Sequence, residues 1–198
     1  MTEPTPPKLI DDAVRVAALD ILTAARELDE WDLPPGIVMI IAGDQPTYVP
    51  VPIPDNLWLD THPVAVLHAL NVGIAAGAIS LRVGEDSATS LQATGEIVGV
   101  ILFTEGHAVI GDNLTDAEKA TLDDFKDRHR LEEHPKSREL RMATMVDRSL
   151  TTALANHVRG EEISEKIVYG FTGRIPDALR QLTTTLLASW MSEAQKAP

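Results

Sequence analysis

Several groups of side chains in this sequence have types and spacings suited to chemistry. Glu105-Gly106-His107, followed by Asp112, gathers two carboxylates and an imidazole around what reads as a tight turn. Such a donor set suits a hard or borderline divalent metal, and with a metal-bound water it would make a small metal-assisted hydrolase. Against this, the His-x-His and His-Glu-x-x-His spacings of known hydrolases are missing, and turns collect Glu, Gly and Asp for their own backbone geometry. A second group, His129, Glu132, Glu133 and His134, falls at the end of a predicted helix, with His129 and Glu133 on one face. It suits a metal or a general base, and equally a solvated helix end with imidazoles near the negative end of the dipole. His62 and His68 flank a helix start without sharing a face, and His68, set among Val64, Leu67 and Leu70, reads as a core histidine. The arginines Arg138, Arg141, Arg148, Arg159 and Arg174 form the last group. If a hairpin turns Arg141 and Arg159 to the same side, they make a local site for an anion or a partner. Arginine on a strand's solvent face is also an ordinary way to blunt a sheet. Trp58, in Pro54-Asp55-Asn56-Leu57-Trp58-Leu59, sits in a proline-rich loop where it would anchor a partner.

Composition narrows the field. There is no cysteine among the 198 residues, which excludes disulfides, thiolate zinc sites and cysteine nucleophiles. The net charge is −13, with 11 acids against 3 bases in residues 1–60 and 7 acids against 9 bases in residues 134–198. So acidic a chain repels phosphate backbones, which makes nucleic acid an unfavourable partner. The weakly basic last third is expected to pair with acids of the same chain. No phosphate-binding loop, Gly-x-Gly-x-x-Gly or Gly-x-Ser-x-Gly is present, and no serine or threonine stands beside a histidine in a nucleophile elbow. The apolar runs around Ile37–Ala42 and Val98–Phe103 are far shorter than the roughly 20 residues that span a bilayer. With no targeting segment legible at the N-terminus, the expected location is the cytoplasm.

These residues need elements to position them. Residues 1–7 and 193–198 read as tails around a single domain over 8–192. Ile10, Val14, Ala17, Ile21, Ala24, Ala25 and Leu28 predict an amphipathic helix from about Lys8 to Trp31, stopped by Leu33-Pro34-Pro35-Gly36. Ile37–Ala42 predicts a strand covered on both faces. Thr47–Ile53, with Pro50 and Pro52, predicts an edge strand or loop. A second helix opens at Pro63 with Asp60 or Thr61 as its cap, and is apolar on most sides, which predicts burial. Residues 84–95 read as a polar loop. Ile97–Phe103 is a strand, and Glu105-Gly106 is expected to turn it back into a short hairpin through Ile110. Thr115 and Glu118 form a capping box for a charged helix. Leu140–Val146 and Thr152–Val158 alternate as strands around Asp147-Arg148-Ser149. Pro176 opens a last helix with Leu179, Leu182, Leu186 and Trp190 as its buried stripe. Hairpins imply antiparallel pairing, so the fold class is α+β: an antiparallel sheet of four or five strands with helices on one or both faces.

Gly99-Val100-Ile101-Leu102-Phe103-Thr104-Glu105-Gly106, Glu133-His134-Pro135, Arg138-Glu139-Leu140-Arg141-Met142, Val146-Asp147-Arg148, Arg159-Gly160 and Gly173-Arg174-Ile175-Pro176-Asp177-Ala178-Leu179 follow in this order. Over its second half the chain thus resembles a group of uncharacterised small proteins of high-GC Gram-positive bacteria and their phages. His107 departs from the pattern, where an aromatic would stand. The resemblance implies a setting and no mechanism. It also implies structural roles: Glu-His-Pro leading into a strand, Val-Asp-Arg as a hairpin turn. The expectation is therefore a non-enzymatic interaction protein without cofactor, phage-encoded or prophage-derived, binding a host or phage protein through Trp58, Arg141 and Arg159. The alternatives are the metal hydrolase of Glu105, His107 and Asp112, and a homo-oligomeric structural component.

Overall fold

The structure is a computed structural model. It describes residues 9–28, 30–43, 45–53, 56–59, 61–82, 90–92, 95–109, 114–119, 122, 131–164, 167–170 and 172–195. Asp112, His129 and the N-terminal tail lie outside the described residues. A six-stranded antiparallel sheet in the order β2-β1-β5-β6-β7-β8 is covered by helices on both faces. Its strands are β1 (Gly36–Ile41), β2 (Thr47–Pro50), β5 (Ile97–Val109), β6 (Ser137–Asp147), β7 (Thr152–Val158) and β8 (Val168–Tyr169). A parallel pair, β3 (Ser80–Arg82) and β4 (Ser90–Gln92), stands apart, and β4 falls where the sequence reads as loop. The helices are α1 (Asp12–Glu27), the single turn α2 (Asn56–Leu59), α3 (Pro63–Ala75) and α4 (Arg174–Ala194).

α1 starts later than its apolar stripe predicts, because Asp11 caps it: the Ala13 N–H donates to Asp11 Oδ1 at 2.9 Å. Val14, Ala17, Ala18, Leu22 and Ala25 bury against Ile40, Val98, Ile101, Phe103, Ala143, Met145, Ala153 and Ala155. On the opposite face α3 and α4 bury Val66, Leu67, Leu70, Leu179, Leu182 and Leu186 over Met39, Val100, Leu102 and Val146. A register shift between Ile40 and Ile41 moves Ile97 to the α3/α4 side with Val100 and Leu102, while Val98 turns to α1. α3 is capped by His62, not by Asp60 or Thr61: Val64 N–H donates to the ring Nδ1 at 3.2 Å.

The expected hairpin at Glu105-Gly106 does not exist. β5 runs unbroken from Ile97 to Val109 and pairs with β6 along eleven rungs, from Gly99↔Asp147 to Val109↔Ser137. Glu105 and Gly106 tolerate a turn, but here Glu105 stands opposite Arg141 and the charge pair holds the strand straight. The true β6–β7 turn is built by Asp147. It is 2% exposed, accepts from Ser149 and Thr151 N–H at 2.8 and 2.9 Å, and also receives the Asp11 N–H. The Thr115–Glu118 capping box is present, with Thr115 N–H donating to Glu118 at 2.7 Å. Lys136, then the Thr115 amide and hydroxyl, hold the Glu118 carboxyl down at about 2.

A Cβ at Gly99 would meet Val14 Cγ2 at 2.4 Å and the Val146 carbonyl at 2.9 Å. Gly99→Ala therefore pushes α1 off the sheet, and urea denaturation is expected to show a loss of about 1–3 kcal/mol. On edge strand β2 the Tyr48 hydroxyl donates to Asp20 at 2.6 Å. Burial, then the hydrogen bond and charge of Asp20, push its pKa from the usual 10 up to about 12. A group raised on folding contributes stability below its free pKa and loses it as pH rises through the folded value. Absorbance titration of a Tyr169→Phe background should show Tyr48 ionising near 12, and earlier in Asp20→Asn.

Candidate functional site

Arg141 lies in the interior, its side chain 1% exposed beside a Glu105 side chain 8% exposed. Its Nε–H donates to Glu105 Oε1 at 2.6 Å, Nη1 to the Ala25 carbonyl at 2.5 Å, and Nη2 to the Glu30 carbonyl. Glu105 Oε2 accepts the N–H groups of Asp32 and Leu33 at 2.6 and 3.0 Å. One ion pair thus satisfies four backbone groups where α1 ends and the chain enters β1. This explains why α1 stops at Glu27, well before the prolines expected to end it. The guanidinium carbon also lies 4.3 Å from the Trp31 ring centroid.

Arg159 joins it, 5.2 Å from the same ring, so Arg141 and Arg159 do turn to one side. Two residues that the sequence did not single out complete the cluster. Trp31 supplies the shared ring. His157 stands in register with Arg141, lies 5.9 Å from Trp31 centroid to centroid, and donates its Nε2–H to the Glu161 carbonyl at 2.9 Å. The only signal for His157 was its place opposite Arg141 in the hairpin. Together with Arg26, Gly160 and Glu161 these residues line a cavity of about 360 Å³.

Three arginines around a cavity suggest an anion, but their charge is already answered. Arg26 pairs with Glu162 at 2.5 Å, Arg141 with Glu105, Arg159 with Glu139 at 2.5 Å, and the Glu161 that lines the wall with Arg138 at 2.9 Å. Arg148 pairs with Glu96 at 2.8 Å. The exposed pairs are worth at most about 1 kcal/mol each; Arg138 and Arg159 are answered by acids of the last third itself, and Arg148 by Glu96 outside it.

Glu105 and His107 line a second cavity, of about 470 Å³, with Asp32, Pro34, Pro35, Trp58 and Glu139. Glu105 is committed to Arg141, and no group of three metal-ligating side chains occurs among the described residues. Trp58 is half-buried and packs on the α3/α4 core. His134 is buried, its Nδ1 accepting the Lys136 N–H at 3.1 Å as the chain enters β6. His68, expected in the core, is exposed. It lines a cleft of about 390 Å³ between the first turns of α3 and α4, with His62, Ala65, Arg174, Asp177 and Gln181.

That exposure belongs to a larger feature. α3 is apolar all round, with His68 and Asn71 its only polar side chains, and only one face is buried. Ala65, His68, Ala69, Val72, Ala75 and Ala76 are open to solvent, Val72 at 65%. Alongside runs the exposed row Gln181, Thr184, Ala188 and Met191 of α4, tied to α3 by Thr185 donating to Asn71 at 2.5 Å. Between Pro63 and Ala78, and again between Gln181 and Ser192, there is no charged residue.

Comparison of the chain with family models, with curated proteins and with solved structures found no match.

Removing one partner of a buried pair strands the other charge, so Arg141→Met is expected to cost about 3–5 kcal/mol in urea denaturation. Because the pair also satisfies backbone groups, the double variant Arg141→Met/Glu105→Leu should stay destabilised by at least about 2 kcal/mol, rather than recovering. Arg159→Ala should cost at most about 1 kcal/mol.

Proposed function

We propose that this chain is a protein-interaction module, and that its docking surface is the outer face of α3 with the adjoining row of α4. One observation carries the reading: a helix apolar on every side has one side in water. In a soluble fold, an all-round apolar helix is a buried helix, and its open side is where burial is still to be completed. The absence of charge along both rows supports the same reading, because interface centres are depleted of charged residues. In the setting implied by the resemblance of the second half, the partner is a protein of the host or a phage, or another copy of this chain.

This moves the docking surface away from Trp58, Arg141 and Arg159. Arg141 has no outward surface, Arg159 is held by Glu139 and Trp31, and Trp58 is half-buried on the α3/α4 core.

Val72→Glu places a charge at the centre of the face without touching the core. Wild-type and Val72→Glu baits carried through the same affinity capture should differ in one stoichiometric protein, lost from the variant; an untagged copy of the chain itself counts as such a protein. Equal capture by both baits, with both folded by circular dichroism, would refute this surface.

A further inference from the structure

We infer that the occupant of this face is a second copy of the same chain, packed α3 against α3 about a two-fold axis; this rests on the interaction reading above. The spacing of the exposed α3 residues carries the inference. Ala65, Ala69, Val72 and Ala76 follow one another at four, three and four residues, the seam spacing of paired helices. Around a point midway between Ala69 and Val72 the seam is symmetric. In an antiparallel pair Ala65 meets Ala76 of the other copy, and Ala69 meets its Val72. Each Val therefore faces an Ala, large against small, at both central contacts, which is how facing layers interdigitate without voids. An isologous interface requires this self-complementarity, and a foreign helix would have no reason to match it.

Charge selects the same occupant. Each chain carries −13, so two copies repel wherever acidic surfaces meet. Along residues 63–78 and 181–192 both copies bring no charge to the face. A basic partner, which the net charge would otherwise attract, meets at the edge of these rows Asp177, one turn before Gln181, which is already paired with Arg180 at 3.3 Å.

The face is small. α3 offers about 16 Å of seam from Ala65 to Ala76, and the α4 row about 15 Å from Gln181 to Met191, at about 1.5 Å per residue. With helices about 8–10 Å apart, the two rows span roughly 20 Å in width. That footprint is about 320 Å² in plan, below the about 800 Å² per partner of a standard interface, so the dimer is expected to be weak and concentration-dependent. Met191, 56% exposed, would add apolar contact at its end.

Sedimentation equilibrium of the full chain over a wide concentration range tests this. The wild type should reach twice its 21.5 kDa, and both Val72→Glu and Val72→Lys should sediment as monomers with unchanged circular dichroism. The lysine variant makes each chain less negative overall, so dissociation of both variants would reflect a charge forced into the seam and not the general repulsion between acidic chains. The chain has no cysteine of its own, so single-cysteine variants report the register. A mixture of Ala69→Cys and Val72→Cys should cross-link between copies under oxidation, and at least tenfold more than a mixture of Ala65→Cys and Ala69→Cys. A wild type that stays monomeric, or a dimer that both Val72 variants leave intact, overturns the inference. If the wild type is monomeric yet Val72→Glu still loses a captured protein, the face is a docking surface for another partner. If Val72→Glu changes neither mass nor capture, both readings fall.

Discussion

The buried pair of Glu105 and Arg141 is the constraint on which the rest of the architecture hangs. It spans adjacent strands at one rung, and it reaches out of the sheet to the Ala25 carbonyl of α1, the Glu30 carbonyl beyond the helix and the amides that lead into β1. Removing an ion pair from water costs several kcal/mol per ion, and the Coulomb attraction alone often fails to offset that. Here the remaining donors and acceptors also pair backbone groups around a helix end, the Ala25 carbonyl among them in the interior. The pair thereby sets where α1 stops, how the following residues turn, and with them the course of the chain into β1, the neighbour of β5.

Once α1 is fixed in this way, the two faces of the sheet differ in kind. On the α1 side the contact is close: Gly99 lets Val14 approach the sheet, alanines at 143, 153 and 155 make room for the helix, and α1 turns Asp12, Asp20 and Glu27 to solvent. That layer is finished. On the other side α3 and α4 cover the core, but α3 presents alanines and a valine outward where α1 presents acids. One surface of the domain thus ends in charge, while on the other α3 leaves apolar side chains in water.

The charges of the basic last third are largely answered close by. Arg138, Arg148 and Arg159, with Arg26, are met by Glu161, Glu96, Glu139 and Glu162 around the sheet and its turns. None of these pairs carries much stability, but together they leave no unanswered cluster of positive charge among the described residues on the tryptophan–arginine side. The proposed docking through the α3 face, by burial and insensitive to salt, fits such a surface better than docking by charge.

Local pattern determined a good deal of this. The α1 stripe, the strands at 37–41 and 97–103, the Thr115–Glu118 cap, the turn at Asp147 and the leucine stripe of α4 were legible because period, cap and turn chemistry act within a few residues. So was α3's all-round apolarity, the one trace of its open face. What the sequence alone misjudged depends on neighbours distant along the chain. Glu105-Gly106 permits a turn, and only the arginine 36 residues on keeps it a strand. His68 has core-like neighbours, yet a helix buries one side, and which side was decided by where the sheet lay. Arg141 reads as a surface residue until the end of α1 folds over it, because a long-range ion pair leaves no periodic mark in the sequence.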